Sequence, residues 1–151
     1  MKRAVIETYK FSKTFNAPLG FVFDWCTDFR EDDGKMVGSE TRVEFVERNS
    51  ERLIWIARYK SDGQAKEGIR VVWLKRPDEW RLETCGDGNE KGRYKLTSLG
   101  KERTRLDMTF DVTYDDAKAV QSQEEFEIDT RGTWDSFAKY LEKDYKASVR
   151  S

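Results

Sequence analysis

The chain has 151 residues, with 28 Lys and Arg against 29 Asp and Glu, a formal net charge of -1 and no histidine. One domain with one core fits that length, and the absence of a basic surplus argues against a partner bound through nucleic-acid phosphates or a polybasic membrane anchor. Without an imidazole there is no Ser-His-Asp triad, no Cys-His dyad and no His-ligated metal, so several classes of enzyme are excluded.

The chain starts with Lys2 and Arg3 but reaches Glu7 before any long apolar run, which does not suit a signal peptide. No stretch approaches the about 18 apolar residues of a membrane span. A cytoplasmic protein with no membrane span is expected. Hydrophobic residues at 37% and aromatics at 13% supply enough packing material for a folded domain under a shell that is 38% charged. Cys26 and Cys85 are far apart and lack metal-ligand spacing, so reduced thiols are expected rather than a disulfide.

Residues 4–15 alternate, with Tyr9, Phe11 and Phe15 on one face, and predict a first strand. Asn16 and Pro18 then read as a cap-like residue and a proline opening a short helix over 19–26, and 28–34 reads as a polar loop or single turn. From Met36 onward, six short strands are expected at 37–48, 52–61, 66–76, 79–86, 91–99 and 103–114, divided by turn residues such as Asp62-Gly63 and Asp87-Gly88-Asn89. They form an antiparallel meander. The last is the clearest, with Leu106, Met108, Phe110, Val112 and Tyr114 facing a core and Asp107, Thr109, Asp111 and Thr113 facing water. Around Trp73 both faces are apolar and the phase is open.

Asp115 and Asp116 are candidate helix caps, and 117–125 reads as polar helix or loop. Phe126, Thr130, Trp134, Phe137, Leu141 and Tyr145 then recur at helical spacing and draw one apolar stripe, which Gly132 interrupts with a bend or a close approach.

The order strand, short helical break, six-strand meander and long amphipathic helix is that of the helix-grip fold. Ala17-Pro18 at the end of a strand, a helix carrying Val22-Phe23-Asp24, and the segments Gly92-Arg93-Tyr94-Lys95-Leu96 and Thr104-Arg105-Leu106 resemble the START-like (Bet v 1-like, SRPBCC) superfamily. Within it the chain is similar to the polyketide cyclase/dehydrase and lipid-transport group. The resemblance spans residues 1–151 as a single START-like domain. It implies an α+β fold, a curved seven-stranded antiparallel sheet wrapped around the C-terminal helix, with short helices between strands 1 and 2.

An internal cavity for a small hydrophobic or aromatic molecule, such as a lipid, polyketide or quinone-like compound, follows from that fold. Tyr59, Trp73, Tyr94, Phe110 and Trp134 are the expected ligand-binding residues, because tyrosine and tryptophan carry polar groups that can orient a guest. No cofactor, no metal site and no catalytic residue is assigned, and monomer and homodimer both remain open. Glu31-Asp32-Asp33 reads as a solvated loop, Arg58 and Arg70 are placed on the outer sheet face, and Cys26 and Cys85 are read as inert. Two other functions stay open. A cyclase or dehydratase-like enzyme requires an ionisable residue inside the cavity, and a co-chaperone-like interaction module requires an exposed apolar patch rimmed by charge.

Overall fold

A computed structural model describes residues 3–29 and 40–150. The elements run β1 (Val5–Phe15), α1 (Leu19–Cys26), β2 (Arg42–Arg48), β3 (Arg52–Ser61), β4 (Gln64–Lys75), β5 (Glu79–Cys85), β6 (Glu90–Gly100), β7 (Arg103–Tyr114), a single 3-10 turn (Ala117–Ala119) and α2 (Gln123–Val149). The seven strands form one antiparallel sheet in the order β1-β7-β6-β5-β4-β3-β2. The architecture is thus the α+β helix grip that the element order implies.

Short turns set the meander's register. Asp62 and Gly63, with φ of 53° and 75°, make the two-residue link between β3 and β4 that right-handed strand twist favours. The inner face of β7 buries Thr104, Leu106, Met108 and Phe110, and register pairs Phe110 with Tyr9 and Met108 with Phe11 of β1. Only Thr104 is polar, and its hydroxyl donates to the Ala17 carbonyl at 2.8 Å. No helix among the described residues is long and apolar enough to cross a membrane.

α2 is capped by Ser122, whose hydroxyl accepts from the Glu125 N–H at 3.1 Å and donates to the Glu125 carboxylate at 3.2 Å. Asp116 caps the preceding 3-10 turn instead. Farther along α2, Phe126 stacks on Tyr9 with centroids 4.4 Å apart, and Ala138 and Leu141 are buried. Gln123 also covers the open edge of β1: its side-chain amide donates to the Lys10 carbonyl at 2.7 Å and accepts from the Lys10 N–H at 3.3 Å.

Several expectations need correction. Pro18, not Asn16, occupies the α1 cap position, and the Asn16 amide donates to Glu142 instead. The second strand begins at Arg42 rather than 37, and residues 30–39, with the run Glu31-Asp32-Asp33, lie outside the described residues. Arg58 does lie outward, between Glu44 and Glu67, but Arg70 faces inward because Arg70, Val72 and Leu74 share the phase of Gly68 on β4. Trp73 therefore faces outward, with the Arg81 guanidinium 5.1 Å from its ring. It joins Ile54, Ile56, Ile69 and Val71 in an apolar patch on the outer sheet face. That patch explains why the phase of β4 is ambiguous in sequence.

Gly132 lies in an uninterrupted α2, and a Cβ added there meets nothing within 4 Å, so no close approach requires glycine. Gly132→Ala is expected to raise unfolding stability by about 1 kcal/mol, read as a higher denaturant midpoint at unchanged slope. A fall in stability would mean that the glycine has a packing role after all.

Candidate functional site

Between the concave sheet face and α2 lies a cavity of about 480 Å³. The sheet contributes Trp80 and Leu82 from β5, Glu90 and Tyr94 from β6, and Phe110 from β7. α2 contributes Phe126, Thr130, Thr133, Trp134 and Phe137 across the gap. Trp25, Cys26 and Phe29, from α1 and the residues after it, close one side.

The rings support one another. Trp80 and Tyr94, opposite in the β5–β6 register, stack at 4.9 Å and 7°, and Phe110 meets Tyr94 edge-on at 5.6 Å. Trp134 packs edge-on to Phe137 at 5.3 Å, and Phe137 packs against Trp25, whose indole N–H donates to Asp144 at 2.8 Å. Gly92 makes room for this arrangement: a Cβ there would stand 2.9 Å from the Tyr94 ring and 3.1 Å from the Phe110 ring.

Two polar side chains belong to the sheet wall. Glu90 is the first residue of β6 and shares the inward phase of Gly92, Tyr94 and Leu96. Its backbone is fixed by Thr84, whose hydroxyl accepts from the Glu90 N–H at 3.0 Å, but its carboxyl has no side-chain hydrogen bond among the described residues. Burial raises the pKa of that carboxyl, and the charge of Arg70 partly opposes the rise. Burial likewise pushes the Tyr94 phenol well above its ordinary value, with the nearby Glu90 charge adding to the effect. The Cys26 thiol is also raised by burial, the opposite of what a nucleophile needs. Cys26 and Cys85 are both free.

Arg70 has a partner of its own. Its guanidinium grips Asp87 with two bonds of 2.7 Å, and the Tyr59 hydroxyl donates to the same carboxylate. Asp87 occupies the space that Gly68 leaves empty, where an added Cβ would overlap the carboxyl. Hydrogen bonding from Arg70 is the main reason its pKa is lowered to about 2.

Of the five residues expected to line the cavity, Tyr94, Phe110 and Trp134 are on its wall. Tyr59 is not, because its hydroxyl is held by Asp87, and Trp73 is on the opposite face of the sheet. Sequence reasoning missed Glu90, since the strand was expected to start at 91; extending the even-numbered phase by one step back from Gly92 finds it. Trp25 and Phe29 have weaker signals, because a short helix and the segment after it show no two-residue alternation, whereas Phe137 belongs to the α2 stripe that the sequence draws. Among the described residues, no group of three Cys, Asp or Glu side chains is placed to hold a metal ion.

No family model matches the sequence, and no curated protein matches it as a relative. Solved structures do match in shape. Zhui aromatase/cyclase from Streptomyces sp. R1128 is similar at 16% identity and a TM-score of 0.65, over 97% of this chain and 98% of that one. A START superfamily protein from Mycobacterium smegmatis matches at 15% identity and 0.64, over 93% and 97%. Ara h 8.0201 matches at 13% and 0.69, over 91% and 98%. The chain has the START (Bet v 1-like) helix-grip fold.

The Asp87 latch can be tested by acid. Its folded pKa is below the unfolded value of about 3.9, so its stabilisation is complete above about pH 4 and is lost as pH falls toward 2. Asp87→Asn is expected to cost about 1–3 kcal/mol at pH 7, with the gap to wild type closing on acidification. Gly68→Ala is expected to cost a similar amount in the wild type but little beside Asp87→Ala, since both disturb one contact. Simple additivity in chemical denaturation would count against the latch.

Proposed function

We propose that the protein binds a small hydrophobic, flat or aromatic molecule in the cavity between the sheet and α2. The observation that carries this is the cavity itself: about 480 Å³, within the ~300–1,000 Å³ usual for small-molecule sites and walled mainly by aromatic rings with few polar groups. Packed rings present flat surfaces, which favours a polyketide-like or quinone-like guest over a flexible acyl chain. Similarity in shape to an aromatase/cyclase and to a START superfamily protein adds support for apolar guests in general. Tyr94, Phe110 and Trp134 are assigned as contacts, joined by Trp80 and Phe137.

One observation favours a second reading, acid–base catalysis of the cyclase or dehydratase kind. Glu90 is an ionisable group inside the cavity whose pKa burial raises, the direction in which general acid–base catalysis tunes a carboxyl. Binding remains the principal reading, because among the described residues no hydrogen bond joins Glu90 to a second proton-transfer group. Recovery of a bound compound chemically unchanged after prolonged incubation separates carriage from turnover.

Native mass spectrometry of the freshly purified protein, followed by extraction, is expected to recover an apolar compound or to show uptake of an uncharged aromatic probe such as N-phenyl-1-naphthylamine. Thr130→Trp, which places an indole in the cavity from α2, is expected to reduce probe binding by on the order of tenfold or more while the protein remains folded. Unchanged uptake in that variant would place the probe elsewhere and remove the support for this site.

A further inference from the structure

The cavity wall contains a carboxyl that no side chain among the described residues partners. Glu90 is an inward residue, and among the described residues its side chain accepts no hydrogen bond and no Lys or Arg lines the cavity. Arg70, the charge that Glu90 feels, is already committed to Asp87 through both guanidinium Nη atoms. Buried carboxylates are ordinarily paired, because an unpaired one forfeits its hydration with nothing in return. The available place for a counter-ion is the cavity.

The surrounding wall suits a cation as well. Ring faces attract positive charge, most strongly those of Trp, and the wall holds Trp25, Trp80 and Trp134 as well as Tyr94. The Tyr94 hydroxyl, also without a hydrogen-bond partner among the described residues, offers a second acceptor close to Glu90. An anionic guest would instead meet the Glu90 carboxyl with no cationic residue among the described lining residues to offset it.

We propose that the cavity selects a protonated amine on an apolar or aromatic body, with the carboxylate of Glu90 as counter-ion and the aromatic wall around the ammonium. The proposal rests on the reading of the cavity as a ligand site and adds the chemical class of the ligand. It includes a proton balance. Burial favours the neutral carboxyl and an entering ammonium favours the carboxylate, so whatever fraction of Glu90 is protonated in the free protein gives its proton to the solvent on binding.

The groups that bear on this titration are few. Tyr94 shares β6 with Glu90, Cys26 approaches from α1, and Arg70 with its bound Asp87 stands on the β4 side. On the far side, Glu7 of β1 shares the inward row but is separated from Glu90 by Val112 of β7. α2 presents rings and threonine hydroxyls to the cavity, and no charged side chain. Tyr94 and Cys26 both titrate well above neutrality, so an acid-side change in amine binding is assigned to Glu90.

The test uses three probes of similar size, 2-(2-naphthyl)ethylamine, 2-(2-naphthyl)ethanol and 2-acetonaphthone, titrated by calorimetry into the wild type and Glu90→Gln. The amine is expected to bind the wild type on the order of tenfold more tightly than the alcohol at pH 7.5. Glu90→Gln is expected to abolish that preference while leaving the alcohol unchanged. In the wild type alone, amine affinity is expected to fall as pH drops through the raised Glu90 pKa, and calorimetry in two buffers of different ionisation heat is expected to show proton release.

These wild-type measurements decide the matter even if the variant fails to fold. Equal binding of amine and alcohol overturns the amine proposal and leaves the cavity as a general apolar site. Preference for the ketone, strengthening toward acid, overturns it in favour of a neutral Glu90 that donates a hydrogen bond. No binding of any probe to folded protein overturns this proposal and the binding function together.

Discussion

The structure depends on a mismatch of widths. Seven strands spaced by about 4.8 Å make a sheet roughly 30 Å across, whereas a helix with its side chains is about 10–12 Å wide. The sheet must curl to bring its inner face toward α2, and even then one helix does not reach all of it. α2 is secured toward both ends, by Phe126 stacked on Tyr9 and by Tyr145, which packs edge-on to Phe21 and donates to Glu102. Between these anchors Thr130, Thr133 and Trp134 span the unfilled volume. The cavity is therefore a consequence of how the helix is fastened.

Electrostatics divides the same region into a settled part and an open one. Asp87 and Glu90 are three residues apart, yet their environments push their pKa values in opposite directions. Asp87 folds back under the glycine gap in β4, where Arg70 and Tyr59 satisfy it. Glu90 enters β6 with its side chain toward the rings and meets no such partner. Asp87 ties the β5–β6 turn to the sheet, and Glu90 gives the cavity an ionisable group. Because Arg70 is spent on Asp87, no side chain among the described residues answers Glu90.

What was legible in the sequence follows from which elements have one wet face. β7 and the later part of α2 each bury one face, so alternation and helical spacing placed Phe110, Trp134 and Leu141 without ambiguity. β4 carries apolar residues on both faces, so its sequence does not fix the phase: alternation alone allows Trp73 on the inner face and Arg70 on the outer, the reverse of where they lie. Tyr59 was phased correctly as inward, but its partner Asp87 comes from a turn far along the chain, which no local pattern reveals. Glu90 sits at a strand boundary, where turn residues obscure the alternation that continues through it. The element order was readable because it depends on local periodicity, while the cavity depends on contacts between distant segments.

The aromatic wall also bears on why the space stays open. At about 24 cal/mol per Å³, a dry void of about 480 Å³ would cost about 12 kcal/mol, comparable to the whole stability of a small domain. The space must hold water when it holds no ligand, and such water finds polar partners mainly at Glu90, Tyr94 and two threonines. Water so poorly bonded is released at little enthalpic loss when an apolar body enters. Flexible side chains would relax into the gap and erase it, but stacked rings with two side-chain torsions each cannot do so without losing their own contacts. Gly92 shows the same constraint from the backbone, omitting a methyl group to seat Tyr94 and Phe110 where both keep the wall rigid. Rigidity in the wall and weak hydration in the space act together: the first keeps the cavity from collapsing, and the second favours its occupation.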